Sequence, residues 1–282
     1  MAGPTSYAFL KGHGTENDFV LLPDPDGTVH GDLAAERVRA LCDRRAGIGG
    51  DGVLRVVRTA AYAPEWADRA EWFMDYRNAD GSLSEMCGNG VRVFARHLLE
   101  AGLVEPSGGG VPVATRAGLK IVYADGDSFT ADMGHPKLLG TSQITIAHHF
   151  WSARHVDMGN PHAVAFVESL DAHGPVGPLL DPPVHDEEEY PDGVNVEFVV
   201  RRGDRHVAMR VHERGSGETR SCGTGACAVM VAAADDDGVD RSEDVTYTVD
   251  VPGGTLRVTW TTDDRVLLTG PAVIVAEGQT DL

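Results

Sequence analysis

Short β-branched runs, broken every few positions by Gly, Pro or Asp, dominate the hydrophobic pattern of this chain. Residues 198–200, 208–211, 245–249 and 256–259 have this form, and residues 53–57 make a similar run. The spacing predicts strands. Two kinds of helix interrupt them. Residues 33–45 carry apolar positions at helical spacing, with Asp32 as the expected N-cap. The other kind starts just after a Cys-Gly-x-Gly tetrapeptide and is apolar on nearly every side. A helix without a polar face is buried, so each of these is expected inside a wrapped sheet. Gly108-Gly109-Gly110 reads as a hairpin or loop, not a boundary.

The chain also repeats itself. Cys87-Gly88-Asn89-Gly90 and its apolar continuation return 135 residues later as Cys222-Gly223-Thr224-Gly225. Asn78 stands nine residues before the first cysteine and Glu213 nine before the second. Residues 116–121 parallel 253–258, and Met133-Gly134-His135 parallels Thr269-Gly270-Pro271. Asn17-Asp18-Phe19-Val20 parallels Asn160-Pro161-His162-Ala163-Val164. Five correspondences in one order predict two copies of one unit. The expected fold is α+β, with two pseudo-symmetric domains, each a mixed or antiparallel β-sheet wrapped around a central helix. The expected boundaries are 1–131, joined by a returning 270–282, and 132–269.

At 282 residues and 42% hydrophobic, the chain is long enough for two ordinary cores. It has no apolar run near the roughly 20 residues a membrane span needs, and residues 1–14 lack a secretory signal pattern. Four cysteines do not make a disulfide framework, so a reducing cytoplasm is expected. The formal net charge of -19 disfavours nucleic acid and anionic lipid as partners. Lys11, Lys120 and Lys137 are the chain's lysines, against 43 acidic residues. That imbalance, with runs such as Asp235-Asp236-Asp237, suggests adaptation to high salt.

A Cys-Gly-x-Gly at a helix start has a specific chemistry. The first N–H groups of a helix carry positive partial charge and suit a carboxylate, and the same field favours a thiolate. Repetition would bring two helix N-termini and two thiols face to face across a cleft. That suits removal of an α-proton from one face of a carbon and delivery to the other. A disulfide between Cys87 and Cys222 is the structural alternative. Zinc lacks a Cys-x-x-Cys pair, and Cys42 and Cys227 read as core residues. Gly47-Ile48-Gly49-Gly50-Asp51-Gly52 matches G-x-G-x-x-G, but it follows a helix and precedes a strand, the reverse of a dinucleotide fingerprint, and reads as a turn. Met158-Gly159-Asn160-Pro161-His162 gathers an amide and an imidazole in one turn. Glu213 and Arg214 suit a zwitterionic amino acid, Arg forking to carboxylate and Glu taking the ammonium.

At these residues the chain resembles the diaminopimelate epimerases, nearly end to end. The likeness runs from His13-Gly14 and Asn17-Asp18-Phe19 through Asn78-Ala79-Asp80-Gly81-Ser82 and Met86-Cys87-Gly88-Asn89-Gly90. It continues through Gly159-Asn160-Pro161-His162, residues 213–219 and Ser221-Cys222-Gly223-Thr224-Gly225-Ala226 to Thr269-Gly270-Pro271-Ala272. The resemblance implies interconversion of LL- and meso-2,6-diaminopimelate in lysine biosynthesis, without pyridoxal phosphate or metal. Cys87 and Cys222 would be the acid/base pair, and His162 and Glu213 would tune them. The reacting carboxylate would rest on N–H groups of Gly88, Asn89, Gly223 and Thr224, with Asn17 and Asn160 holding that end. Asn78, Asn195, Glu213 and Arg214 would grip the distal centre. The alternative is a two-cysteine racemase of the proline or hydroxyproline type; a remoter one is a non-enzymatic thiol protein. Three positions depart from the family. Gly52 replaces a substrate-binding Gln, and Glu16 replaces a Gly before the first Asn. Leu267 stands where some members carry a Tyr at their dimer contact, which leaves a homodimer as an open expectation.

Overall fold

The structure is a computed structural model that describes residues 6–105 and 108–282. The opening five residues of the stretch expected to lack a signal lie outside the described residues. The chain divides into two compact units, Met1–Ala131 with Pro271–Leu282, and Asp132–Gly270.

Unit 1 contains β1 (Tyr7–Gly14), β2 (Asn17–Pro23), α1 (Ala35–Cys42), β3 (Gly52–Arg58), the single turn α2 (Thr59–Tyr62), β4 (Trp72–Asn78), α3 (Gly88–Glu100), β5 (Val111–Thr115), β6 (Gly118–Asp125) and most of β7 (Ser128–Gly134). Unit 2 contains β8 (Lys137–Ile146), β9 (His149–Asp157), β10 (Pro161–Phe166), β11 (Asn195–Gly203), β12 (His206–Glu213), the short β13 (Gly217–Thr219), α4 (Gly223–Asp236), β14 (Val245–Val251), β15 (Gly254–Trp260) and most of β16 (Val266–Pro271). The chain then returns to unit 1 as β17 (Val273–Thr280).

The two units share one topology. In unit 1 the strand order is β17-β1-β2-β3-β4-β5-β6-β7, with parallel pairing at β2/β3 and β4/β5 and antiparallel pairing elsewhere. In unit 2 it is β8-β9-β10-β11-β12-β14-β15-β16, parallel at β10/β11 and β12/β14 and antiparallel elsewhere. The sense of every junction matches, and the repeat seen in the sequence is a repeat of this eight-strand path. A parallel junction needs a long crossover. At β4/β5 and β12/β14 that crossover holds α3 and α4, around which the strands of each unit wrap.

The two central helices differ in chemistry. From Ala226 to Ala234 every residue of α4 is fully buried, and nearly all are Ala or Val. Small side chains let a sheet close tightly around such a helix. The expectation of an apolar surface does not hold for α3, which buries Asn89, Arg92 and His97 as well as Val91, Val93 and Phe94.

One local expectation is corrected. The first helix is shorter than 33–45 and is not capped by Asp32; its N-cap is Ala34, without a side-chain cap. Its end is set by Asp43, whose Oδ1 accepts from the N–H groups of Arg45 (2.7 Å) and Ala46 (2.8 Å). These bonds divert the chain, which folds back so that Ile48 and Gly49 N–H reach Leu41 O. A Cβ at Gly47 would lie 2.0 Å from Ala40 O, so the glycine there permits the reversal. Residues 108–110 form a loop between α3 and β5, within the expected hairpin or loop.

Candidate active site

In unit 1, Cys87 is the N-cap of α3. Its backbone is extended, its Sγ accepts from Gly90 N–H at 3.4 Å, and its carbonyl takes the first helical bond from Val91. The N–H groups of Gly88 and Asn89 precede that helical ladder, where the dipole favours an anion by about 0.3–1 kcal/mol. The half-buried thiol donates to Asn17 Oδ1 (3.5 Å), which also accepts from Asn89 Nδ2 (3.1 Å). Behind this pair stand two charged residues. Asp51 Oδ2 accepts from Asn17 Nδ2 at 2.8 Å, and the fully buried guanidinium of Arg92 donates to Asn89 Oδ1 at 2.9 Å. Each amide is thus held in one orientation, because its oxygen and nitrogen have different partners. Asn78 lies at the end of β4, donating to Ser82 Oγ (3.0 Å).

In unit 2, Cys222 caps α4 in the same way. Its Sγ accepts from Gly225 N–H at 3.4 Å, and Ala226 N–H bonds its carbonyl at 2.9 Å. The thiol is buried. A file of side chains leads away from it: Cys222 Sγ to Thr224 Oγ1 (3.5 Å), Thr224 Oγ1 to Asn160 Nδ2 (3.4 Å), and Asn160 Oδ1 to His162 Nε2 (3.1 Å). It ends at Glu197, whose Oε1 is 2.6 Å from His162 Nδ1. Burial pushes the Cys222 thiol well above the usual thiol range, and the carboxylates of Glu213 and Glu197 push it further. The Thr224 hydroxyl and the Gly225 N–H act in the opposite direction but lose. Glu213 is itself held by the hydroxyl of Thr219.

The remaining proposed grip residues are tied to backbone. Asn195 donates to Pro161 O (3.2 Å) and accepts from Arg214 N–H (3.0 Å), and the Arg214 guanidinium reaches Asp192 O (3.0 Å). His162, Glu213, Asn160, Asn195 and Arg214 therefore all belong to the unit of Cys222, while Asn17, Asn78 and Asn89 belong to that of Cys87. Gly52 could not be replaced by a larger residue as it stands. A Cβ there would meet Arg77 O at 2.5 Å and Tyr76 Cε2 at 2.6 Å. Sequence reading missed Asp51, Arg92 and Glu197. The visible signals were an Arg directly after Cys-Gly-Asn-Gly-Val and a lone acid inside the strand run Asn195-Val196-Glu197-Phe198-Val199. All four cysteines are thiols. Cys42 and Cys227 are buried, and burial pushes Cys42 up to about 12. Among the described residues no group of three His, Cys, Asp or Glu is placed to hold a metal ion, and no helix is long and apolar enough to cross a membrane.

Comparison with known proteins fits this arrangement. The family model described as diaminopimelate epimerase matches residues 9–139 and 154–275. The chain belongs to the diaminopimelate epimerase family. The diaminopimelate epimerase of Streptomyces coelicolor is 60% identical over 285 residues, covering 98% of this chain and 96% of that protein. That of Thermobifida fusca is 50% identical, covering 97% and 98% respectively. As a family member the chain is an isomerase. Its fold is shared more widely. A hydroxyproline epimerase from Agrobacterium vitis aligns with a TM-score of 0.69 at 18% identity, over 99% of this chain and 94% of its own. A Bacillus anthracis phenazine biosynthesis protein of the PhzF family aligns at 0.71 and 15%, over 98% and 99%.

Proposed function

We propose that this protein interconverts LL- and meso-2,6-diaminopimelate, in lysine biosynthesis, by exchanging the α-proton of one stereocentre between two cysteines. Cys87 and Cys222 alternate as thiolate base and thiol acid, so no pyridoxal phosphate or metal is required. The single observation that supports this most is that each unit presents a cysteine as the N-cap of its central helix, with an asparagine at the start of β2 (Asn17) or immediately before the equivalent β10 (Asn160). A thiol in that position sits beside helix N–H groups that suit a carboxylate. The reacting carboxylate rests on N–H groups of Gly88 and Asn89 in unit 1 and Gly223 and Thr224 in unit 2, and Asn17 and Asn160 hold that end. His162 and Glu213 tune the thiols. Asn78, Asn195, Glu213 and Arg214 take the distal amino-acid end, which selects a doubly zwitterionic substrate.

The thiol chemistry belongs in a reducing cytoplasm. The acidic surface suits high salt, and neither nucleic acid nor a membrane is a partner of a chain with this charge.

Deuterium uptake at the α-carbon from heavy water, starting from each stereoisomer, tests the reaction. Label should enter the product from either side. Cys87→Ala and Cys222→Ala should each abolish isomerisation while melting cooperatively. Full activity in either variant contradicts two-base exchange, and turnover of proline but not diaminopimelate would transfer the chain to the proline-type reaction.

A further inference from the structure

Within unit 2, Glu197 has no role in the chemistry above, yet it is costly to place. It lies on β11, between Val196 and Phe198, and its side chain is completely buried. A carboxylate in that position is strongly disfavoured unless it is paired or neutralised. One oxygen has a partner, His162 Nδ1 at 2.6 Å, and His162 is also completely buried. The other oxygen, Oε2, is buried without a hydrogen-bond partner among the described residues. Such a group is retained for a reason other than stability.

Its position supplies the reason. The carboxylate lies against the first turn of α4, where a Cβ on Gly225 would be 2.6 Å from Glu197 Oε1 and 3.3 Å from Cys222 Sγ. Glycine at 225 therefore lets a carboxylate and a thiol share one small volume. The groups facing the sulfur are Glu197 from β11, Glu213 from β12, Thr224 from its own helix and, one residue further along the file, Asn160 and His162 from β10. Two of these are acids and the imidazole is turned towards Glu197. A second negative charge in a dry site beside an acid is disfavoured.

We propose that Glu197 is a positioning residue that keeps Cys222 in its thiol form at rest, which makes Cys222 the proton donor of the resting enzyme and leaves the thiolate role to Cys87. This rests on the two-cysteine scheme, and it assigns the direction of the first proton transfer. Glu197 also fixes the ring of His162, and through Asn160 and Thr224 the hydroxyl that faces the sulfur.

The test reads the sulfur directly. In a Cys87→Ser background, the ultraviolet absorbance of thiolate is followed against pH, with the Cys87→Ser/Cys222→Ser protein as the blank. Glu197→Gln keeps the shape and removes the charge. Its titration midpoint should fall by about one pH unit, a tenfold rise in thiolate fraction at a pH below the midpoint. An unchanged or higher midpoint overturns the proposal. If Glu197→Gln does not fold, Glu197→Asp carries the test, since it keeps the acid but withdraws it by one methylene: the midpoint should fall by less, and a folded Glu197→Asp with the parental midpoint overturns the proposal. Because the readout needs no turnover, failure of the diaminopimelate assignment would leave these titrations unaffected, and the two can be told apart.

Discussion

The hairpin joining β1 and β2 closes through Thr15 and Glu16, both with left-handed backbones (φ 48° and 61°). A two-residue hairpin loop of this kind needs positive φ at both positions, which is why glycine is favoured there. Glu16 accepts the strain, immediately before Asn17. Glu16→Gly should therefore raise stability by up to about 1 kcal/mol in denaturant titration, the relief of strain being partly offset by a more flexible unfolded chain. Beside it, Asp18 is gripped from two sides. Burial alone would raise its carboxyl, but hydrogen bonds and charge from Arg44 and Lys11 prevail and hold it at about 2. A depressed carboxylate contributes stability that is complete above its unfolded value, about pH 4, and is lost as pH falls towards the folded one. Asp18→Asn should accordingly flatten the loss of stability between about pH 4 and pH 2; an acid melt as steep as the parent's would show that Asp18 does not carry it.

At the scale of elements, α4 is confined on every side. Ala228 is fully buried in the helix that β9, β10, β11, β12, β14 and β15 surround. Ala228→Leu should cost about 1–3 kcal/mol by overpacking, measured as a lower denaturation midpoint. Such confinement was legible in the sequence. An all-apolar stretch after Cys-Gly-Thr-Gly has no face to offer water, and the match between Cys87 and Cys222 located both central helices, which begin inside the tetrapeptides, at Gly88 and Gly223, not just after them. What stayed hidden depended on tertiary partners. Arg92 sits among apolar residues where a solvated charge is the ordinary reading; its partner Asn89 is one helical turn away, but its burial comes from the strands that wrap α3. Glu197 breaks a strand pattern, but no spacing rule links residues 162, 197 and 225. The end of α1 was misread because Asp43 competes locally for N–H groups that helical periodicity assigns to the helix.

The whole molecule carries its acidity in a less uniform way than composition implies. The Asp235-Asp236-Asp237 run stands at the C-terminal end of α4, where the helix dipole already disfavours negative charge. It is held there by Arg154, Arg201 and the hydroxyl of Tyr247. Salt will weaken these half-exposed pairs while relieving the repulsion of a net charge of -19. The second effect involves many more charges, so the melting temperature should rise from dilute buffer to molar KCl; equal values would remove the high-salt interpretation. A different consequence follows from β17. Unit 2 is inserted into unit 1, whose outer strand is synthesised only after all of β8 to β16. On the ribosome the second unit has all its strands first, while β1 of the first keeps one unpaired edge exposed. The nascent chain is then open to strand addition by a neighbour until the final residues emerge and dock along it.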